Sequence, residues 1–207
     1  MTNSNTIYND FYDLDINNST AVIRFYEKNL LVFDNKSTFQ DNADFDDYIT
    51  IICQYVISLE NEGKYSKTLK YAQIGIKLID LKLDEYDIDL KDYSAYWSML
   101  SCKGRAHFYL KDYKSSIHSF ERLHSWDPEL DNIKNWLESA KSRRRNSINK
   151  YFYVAGLILL FVEIIFGEKF GDPKLKLYMS VISLLFLSLG LINEYFGDRL
   201  FKLIGRK

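Results

Sequence analysis

The stretch YFYVAGLILLFVEIIFG, residues 151–167, is apolar all round a helix but for one glutamate, and LYMSVISLLFLSLGLI, residues 177–192, repeats the pattern with no charge at all. Each run is near the lower limit of roughly 17 residues for a helix that crosses a bilayer. Core helices of soluble proteins rarely stay apolar around their whole circumference for so long. Two such runs in tandem therefore predict a transmembrane helical hairpin over residues 151–196. Aromatic rings stand at the ends of both: Tyr151, Tyr153, Phe166 and Phe170 around the first, Tyr178 and Tyr195 around the second. Amphipathic rings of this kind favour the headgroup level. The polar connection at 167–176 contains Gly171, Asp172 and Pro173, and it returns the chain to the side it came from.

Charge extends the reading outward. Net charge is −1, which hides an asymmetry: residues 1–50 carry nine acids and three bases, whereas residues 141–207 carry twelve bases and five acids. A basic end beside apolar runs points to an anionic lipid surface, not to nucleic acid. Lys141, Arg143, Arg144, Arg145 and Lys150 precede the first run, and Arg199, Lys202, Arg206 and Lys207 follow the second. Those nine cations outnumber the three of the connection, Lys169, Lys174 and Lys176, which predicts a two-span membrane protein with both termini cytoplasmic. Residues 141–150 form a basic juxtamembrane helix end, and Arg143, Arg144, Arg145 and Lys150 are its membrane-interface residues. Residues 197–207 make a basic amphipathic tail that either lies in the interface or stays solvated. The polar, acidic N-terminus has no basic n-region followed by an apolar stretch, so no cleavable signal peptide is expected.

Glu163 is the one ionisable residue well inside a span. It reads either as an ion site or polar helix–helix contact, or as a carboxylate near the outer end that snorkels toward Lys169. Ser183 and Gly190 share a face of the second run and can admit Gly156 or a second copy closely, so the hairpin offers a homo-oligomer contact.

Upstream of the spans the pattern is helical throughout. Residues 1–18 read as a flexible N-terminal arm, loose or docked. Residues 19–140 read as a helical domain. Ser19 or Thr20 can cap a helix that ends near Asp34. Tyr48, Ile51, Ile52, Tyr55, Val56 and Leu59 recur at three and four residues and mark one buried face. Gly63 breaks that helix, and a second runs from about Tyr65 to Leu81. After a charged stretch at 82–92, helices start near Tyr93 and Tyr113. The second of these stops at Asp127-Pro128, because proline cannot continue the ladder. A fifth helix carries Ile133, Trp136, Leu137 and Ala140.

Gly104-Arg105-Ala106, Leu110-Lys111-Asp112-Tyr113, Ser116-Ile117, Phe120 and Asp127-Pro128 together resemble one unit of the tetratricopeptide repeat (TPR) family. That pattern places small residues where two helices cross, aromatic wedges, and a proline at the close. Glu62-Gly63-Lys64-Tyr65, with Leu69 and Ala72, resembles the same unit more weakly. The turn tyrosines Tyr65 and Tyr113 stand 48 residues apart, so an insertion near 80–93 separates the two units. The expected fold is all-α: TPR-like helical hairpins followed by a two-helix transmembrane hairpin.

No catalytic constellation stands out. The three histidines lack metal-ligand spacing, and no phosphate-binding glycine loop or nucleophile elbow occurs. Asp41, Asp44, Asp46 and Asp47 lack the glycine and closing glutamate of an EF-hand, so they read as a solvated helix start. No enzyme, metal or cofactor is expected. Cys53 and Cys102 read as small core residues. The resemblance implies a concave face with Cys53, Ile57, Glu60 and Asn61 from the earlier unit, and Ser101, Arg105, Phe108 and Tyr109 from the later one. Among these, Arg105, Phe108, Tyr109 and Asn61 are the candidate residues for binding an unidentified protein or peptide. The first functional reading is a membrane-anchored adaptor that holds a partner on the cytoplasmic side. The second is a small membrane effector whose hairpins oligomerise into a pore or membrane-disrupting assembly.

Overall fold

The computed structural model describes residues 4–166 and 173–204, and every described element is helical. The chain divides into two compact units, Met1–Ala140 and Lys141–Lys207.

In the first unit α1 spans Ser4–Tyr12, α2 Ser19–Lys28, α3 Leu30–Asp34, α4 Asn42–Asn61, α5 Tyr65–Lys82, α6 Ser94–Tyr109 and α7 Tyr113–Trp126. The start of α8, Asp131–Phe166, completes it. α4 is the central helix. Asp41 caps it, accepting from the Asp44 backbone N–H at 2.9 Å, and Asp44 adds an acid to its positive end. Its buried set includes Phe45, Ile49, Ile51, Ile52, Val56 and Leu59, which is wider than one face because α2, α5 and α6 all pack on it. α6 in turn packs on α5 and α7.

Both turns of the helical hairpins close alike. At Gly63, with φ +68°, the Lys64 N–H returns to the Leu59 carbonyl at 2.8 Å. At Lys111, with φ +65°, the Asp112 N–H returns to the His107 carbonyl at 2.9 Å. Glycine takes the left-handed conformation freely, whereas lysine does so under strain.

An aromatic stack ties the N-terminal helices to α4 and α5. Tyr26 of α2 stacks on Tyr55 of α4 with ring centres 3.9 Å apart and on Phe33 of α3 at 4.8 Å. Tyr71 of α5 meets both tyrosines edge-on. Buried tyrosines need partners for their hydroxyls. Tyr48 donates to the Phe33 carbonyl at 2.7 Å, and Tyr26 and Tyr71 both donate to Asp34.

One alternative is decided and one expectation is corrected. The arm at 1–18 is docked where it is described: α1 buries Ile7, Tyr8 and Phe11, because these recur at helical spacing. The acidic start of α4 is also more than a solvated end. Tyr8 donates to Asp44 at 2.8 Å, Tyr12 to Asp47 at 2.5 Å and Tyr93 to Asp46 at 2.8 Å. Three carboxylates that looked like surface charge are acceptors that hold α1 and the entry to α6. The stretch at 83–92 is a run of turns and not a helix extension. Tyr86 packs on Phe45 with ring centres 4.8 Å apart.

The second unit holds the remainder of α8 and α9, Pro173–Ile204. Two helices, Asp131–Phe166 and Lys174–Glu194, are long and apolar enough to cross a membrane. Their apolar side chains face outward: Phe161 is 62% exposed, Ile164 74% and Leu184 66%. So continuous an exposed apolar surface is unusual for a protein in water. The connection at 167–172, with Lys169, Phe170, Gly171 and Asp172, lies outside the described residues. So do 205–207 with Arg206 and Lys207, and the side chains of the tail from Tyr195 on.

Candidate functional site

Helices α4 and α6 pack against each other, and a salt bridge links them. The Arg105 guanidinium donates through Nε and Nη2 to the two Glu60 carboxylate oxygens, both at 2.6 Å, and through Nη1 to Ser101 Oγ at 2.7 Å. Both side chains are largely withdrawn from water, at 22% and 11% exposed. Burial works against the guanidinium's charge, and the Glu60 carboxylate outweighs it, so the Arg105 pKa is raised. Such a planar fork-on-carboxylate pair is geometrically specific. It corrects the reading of Arg105 as a cation waiting for a partner's carboxylate. Glu60 stands one helix away, and its own acid takes that place.

Asn61, at the end of the same helix, turns elsewhere. Its amide donates to Ser19 Oγ at 3.3 Å, which joins it to α2 and not to the Arg105 set. Cys102 lies beside Arg105, at 3.4 Å from Nη2. Burial, then Glu60, pushes its thiol well up, and burial raises the Cys53 thiol to about 11. Neither is a reactive thiolate at neutral pH.

Phe108 and Tyr109 do come together, at the end of α6, with partners the sequence reading left out. Phe108 meets Trp136 edge-on with ring centres 5.3 Å apart and Tyr113 at 5.6 Å. Tyr109 stacks on Tyr65, the first residue of α5, at 4.6 Å. Phe108 is half-buried, whereas Tyr109 and the next residue, Leu110, remain 48% and 45% exposed. Beside them is a cleft of about 430 Å³ lined by Lys64, Tyr65, Lys67 and Leu110 among others. Tyr65 was legible only as a turn residue. Like Tyr113 of α7, it opens the helix that follows a left-handed turn, and the match of Glu62-Gly63-Lys64-Tyr65 to Leu110-Lys111-Asp112-Tyr113 is the signal that could have brought it into the site.

The small residues sit where helices cross. A Cβ on Gly104 would stand 2.8 Å from the Phe120 ring, and one on Gly75 would overlap Met99. Ala106 and Ser116 are fully buried.

Among the described residues, polar contacts cross the second unit's hairpin. Asn193 donates to Asn149 at 2.6 Å, Tyr153 to Glu194 at 2.6 Å, Ser183 to the Gly156 carbonyl at 2.8 Å and Ser180 to Glu163 at 2.7 Å. Glu163 is thus a partner in a helix–helix contact, while Lys169, the expected snorkelling partner, lies outside the described residues. Gly156 and Gly190 are both closely approached, by Leu187 and by the Tyr153 ring. Arg143, Arg144 and Lys150 are exposed on α8 just before its apolar run, and Arg145 is half-buried. No protein-family model matches the chain, and no curated protein or solved structure is significantly similar to it.

Proposed function

We propose that this chain is a membrane-anchored, TPR-like adaptor: the helical unit holds a partner protein or peptide on the cytoplasmic side, and the hairpin holds the helical unit at the bilayer. The observation that carries this reading is the exposed Tyr65–Tyr109–Leu110 edge with its lysine-lined cleft. Aromatic rings already ordered by stacking offer binding area at little entropic cost, and Lys64 beside them favours a partner with an acidic residue next to apolar ones, Lys67 being paired with Glu27. The repeat-like character is supported by the matched turns at Gly63 and Lys111 and by the small residues at the helix crossings.

The test places a photo-crosslinking phenylalanine derivative at Tyr109, at Leu110 and, as a comparison, at Leu31, in the full chain on its membranes. Discrete adducts from the first two positions and none from Leu31 are expected. Adducts of equal yield from all three, or from none, would overturn the assignment of this edge.

The rival reading, a pore or membrane-disrupting assembly, needs Glu163 to serve a shared polar path. Its contact with Ser180 of the same hairpin provides a partner without a second copy. Leakage of dye-loaded liposomes by the full chain, abolished in Glu163→Gln, would favour that rival. No leakage from either form is expected here.

A further inference from the structure

We propose that the second unit carries a phospholipid headgroup site, selective for a zwitterionic headgroup with a primary ammonium, in the cleft formed by Asn149, Lys150, Tyr153 and Glu194. The proposal rests on the hairpin being in a bilayer.

The cleft holds about 360 Å³. Asn149 lies within it and is only 3% exposed. Its carbonyl oxygen accepts from Asn193, but its Nδ2 has no hydrogen-bond partner among the described residues. A buried amide donor without an acceptor is costly, so such a group in a cleft marks a place where an acceptor is expected. Lys150 lines the same cleft and adds a cation. A donor and a cation lining one cleft suit a phosphodiester oxygen.

The same cleft also carries the opposite charge. Glu194 accepts from the Tyr153 hydroxyl at 2.6 Å, which orients the carboxylate and leaves it acceptor capacity. A headgroup that is only anionic would face this carboxylate unfavourably. A quaternary ammonium would match its charge but has no N–H to donate. A primary ammonium meets both requirements while its phosphate meets Asn149 and Lys150.

The depth agrees. Lys150 is the last base before the apolar run at 151–167, which is the headgroup level for a helix entering a bilayer. Val154 and Leu157, one turn and two turns further along α8, continue the cleft as an apolar wall for an acyl chain. Both are about half exposed.

The experiment is native mass spectrometry of the purified full chain with equimolar phosphatidylethanolamine, phosphatidylcholine and phosphatidylglycerol of identical acyl chains. The expected result is retention of phosphatidylethanolamine about tenfold over the other two, as one charge-assisted hydrogen bond would give. Asn149→Leu and Glu194→Gln should each bring retention toward parity, and Phe161→Leu, on the outward face, should leave the preference intact. Equal retention of all three lipids by the parent overturns the site. Preference for phosphatidylglycerol also overturns it, since bases binding by charge alone would then suffice. Flotation with liposomes accompanies each variant: flotation without headgroup preference removes only this site, whereas a parent chain that does not float removes the membrane reading and the site together.

Discussion

The two units share one packing device and differ in where their apolar surface lies. In each, a glycine lets a large side chain descend onto a neighbouring helix: Phe120 onto Gly104 in the first, Leu187 onto Gly156 in the second, each at 2.8 Å from where a Cβ would stand. The outer faces differ. In the first unit the large aromatic residues Tyr26, Tyr55, Tyr96 and Phe120 are almost wholly buried, while in the second Leu184 and Ile164 remain mostly exposed. Close approach is therefore a local device common to both units. What separates the units is where the apolar surface goes, inward against other helices or outward onto the exposed faces of the hairpin.

The largest expected effect breaks this comparison in the first unit. Gly104→Leu or Ala106→Phe should cost at least about 1–3 kcal/mol, because a side chain is forced into a packed crossing. The measurement is the thermal unfolding of the full chain in detergent, followed by near-ultraviolet circular dichroism. A variant that melts as high as the parent would remove close helix crossing as the organising feature.

Gly156→Leu should do less to the molecule as a whole. Membrane insertion depends on apolar length and should be unchanged in carbonate extraction, and the first unit should melt as before. The effect should appear only as lost proximity between the spans. Phe152 and Phe186, with ring centres 6.3 Å apart, supply the readout as a cysteine pair whose oxidative crosslinking the glycine substitution abolishes. Crosslinking that survives would show that the spans do not depend on this contact.

A sharper comparison lies within the first unit. Gly63 and Lys111 hold equivalent left-handed turns. Gly63→Ala should destabilise by about 1 kcal/mol, and Lys111→Gly should stabilise by up to a similar amount, since the left-handed penalty appears in one and disappears in the other. Denaturant midpoints shifting the same way in both variants would refute the equivalence.

The smallest effect concerns acid. Burial pulls the Asp44 carboxyl up, but Lys36, the Gln40 N–H and the Tyr8 hydroxyl outweigh it, and its pKa is lowered overall. A carboxyl lowered on folding stabilises above its unfolded pKa of about 3.9 and loses that contribution as pH falls through the folded value. Asp44→Asn should thus be less stable than the parent at pH 7, with the difference closing below about pH 4. A difference that stays constant across that range would mean that the pair with Lys36 contributes nothing through charge.

Much of this was readable from local pattern. The helices, their order and the two apolar runs follow from periodicity, from Gly63 and Pro128 as breakers, and from unbroken apolar composition. Periodicity misled where polar residues served as acceptors. Asp44, Asp46 and Asp47 looked solvated because nothing local shows that Tyr8, Tyr93 and Tyr12 will reach them across 36, 47 and 35 residues. Arg105 was misread for the same reason. Arg105 beside Phe108 and Tyr109 looked open, but its carboxylate came from 45 residues away.

The sequence by itself determined that this chain is helical, that its last third is apolar enough to enter a bilayer, and where the helices from α4 to α7 start and stop, whereas α1 and the break between α2 and α3 escaped it. Those properties are set by composition and by neighbours within one or two turns. Tertiary structure alone decided which polar groups are satisfied: that Glu60 neutralises Arg105, that Ser180 bonds Glu163, and that Asn149 keeps an amide donor without an acceptor among the described residues. A hydrogen bond is made or missed within a few tenths of an ångström, and only the packed helices set distances that finely.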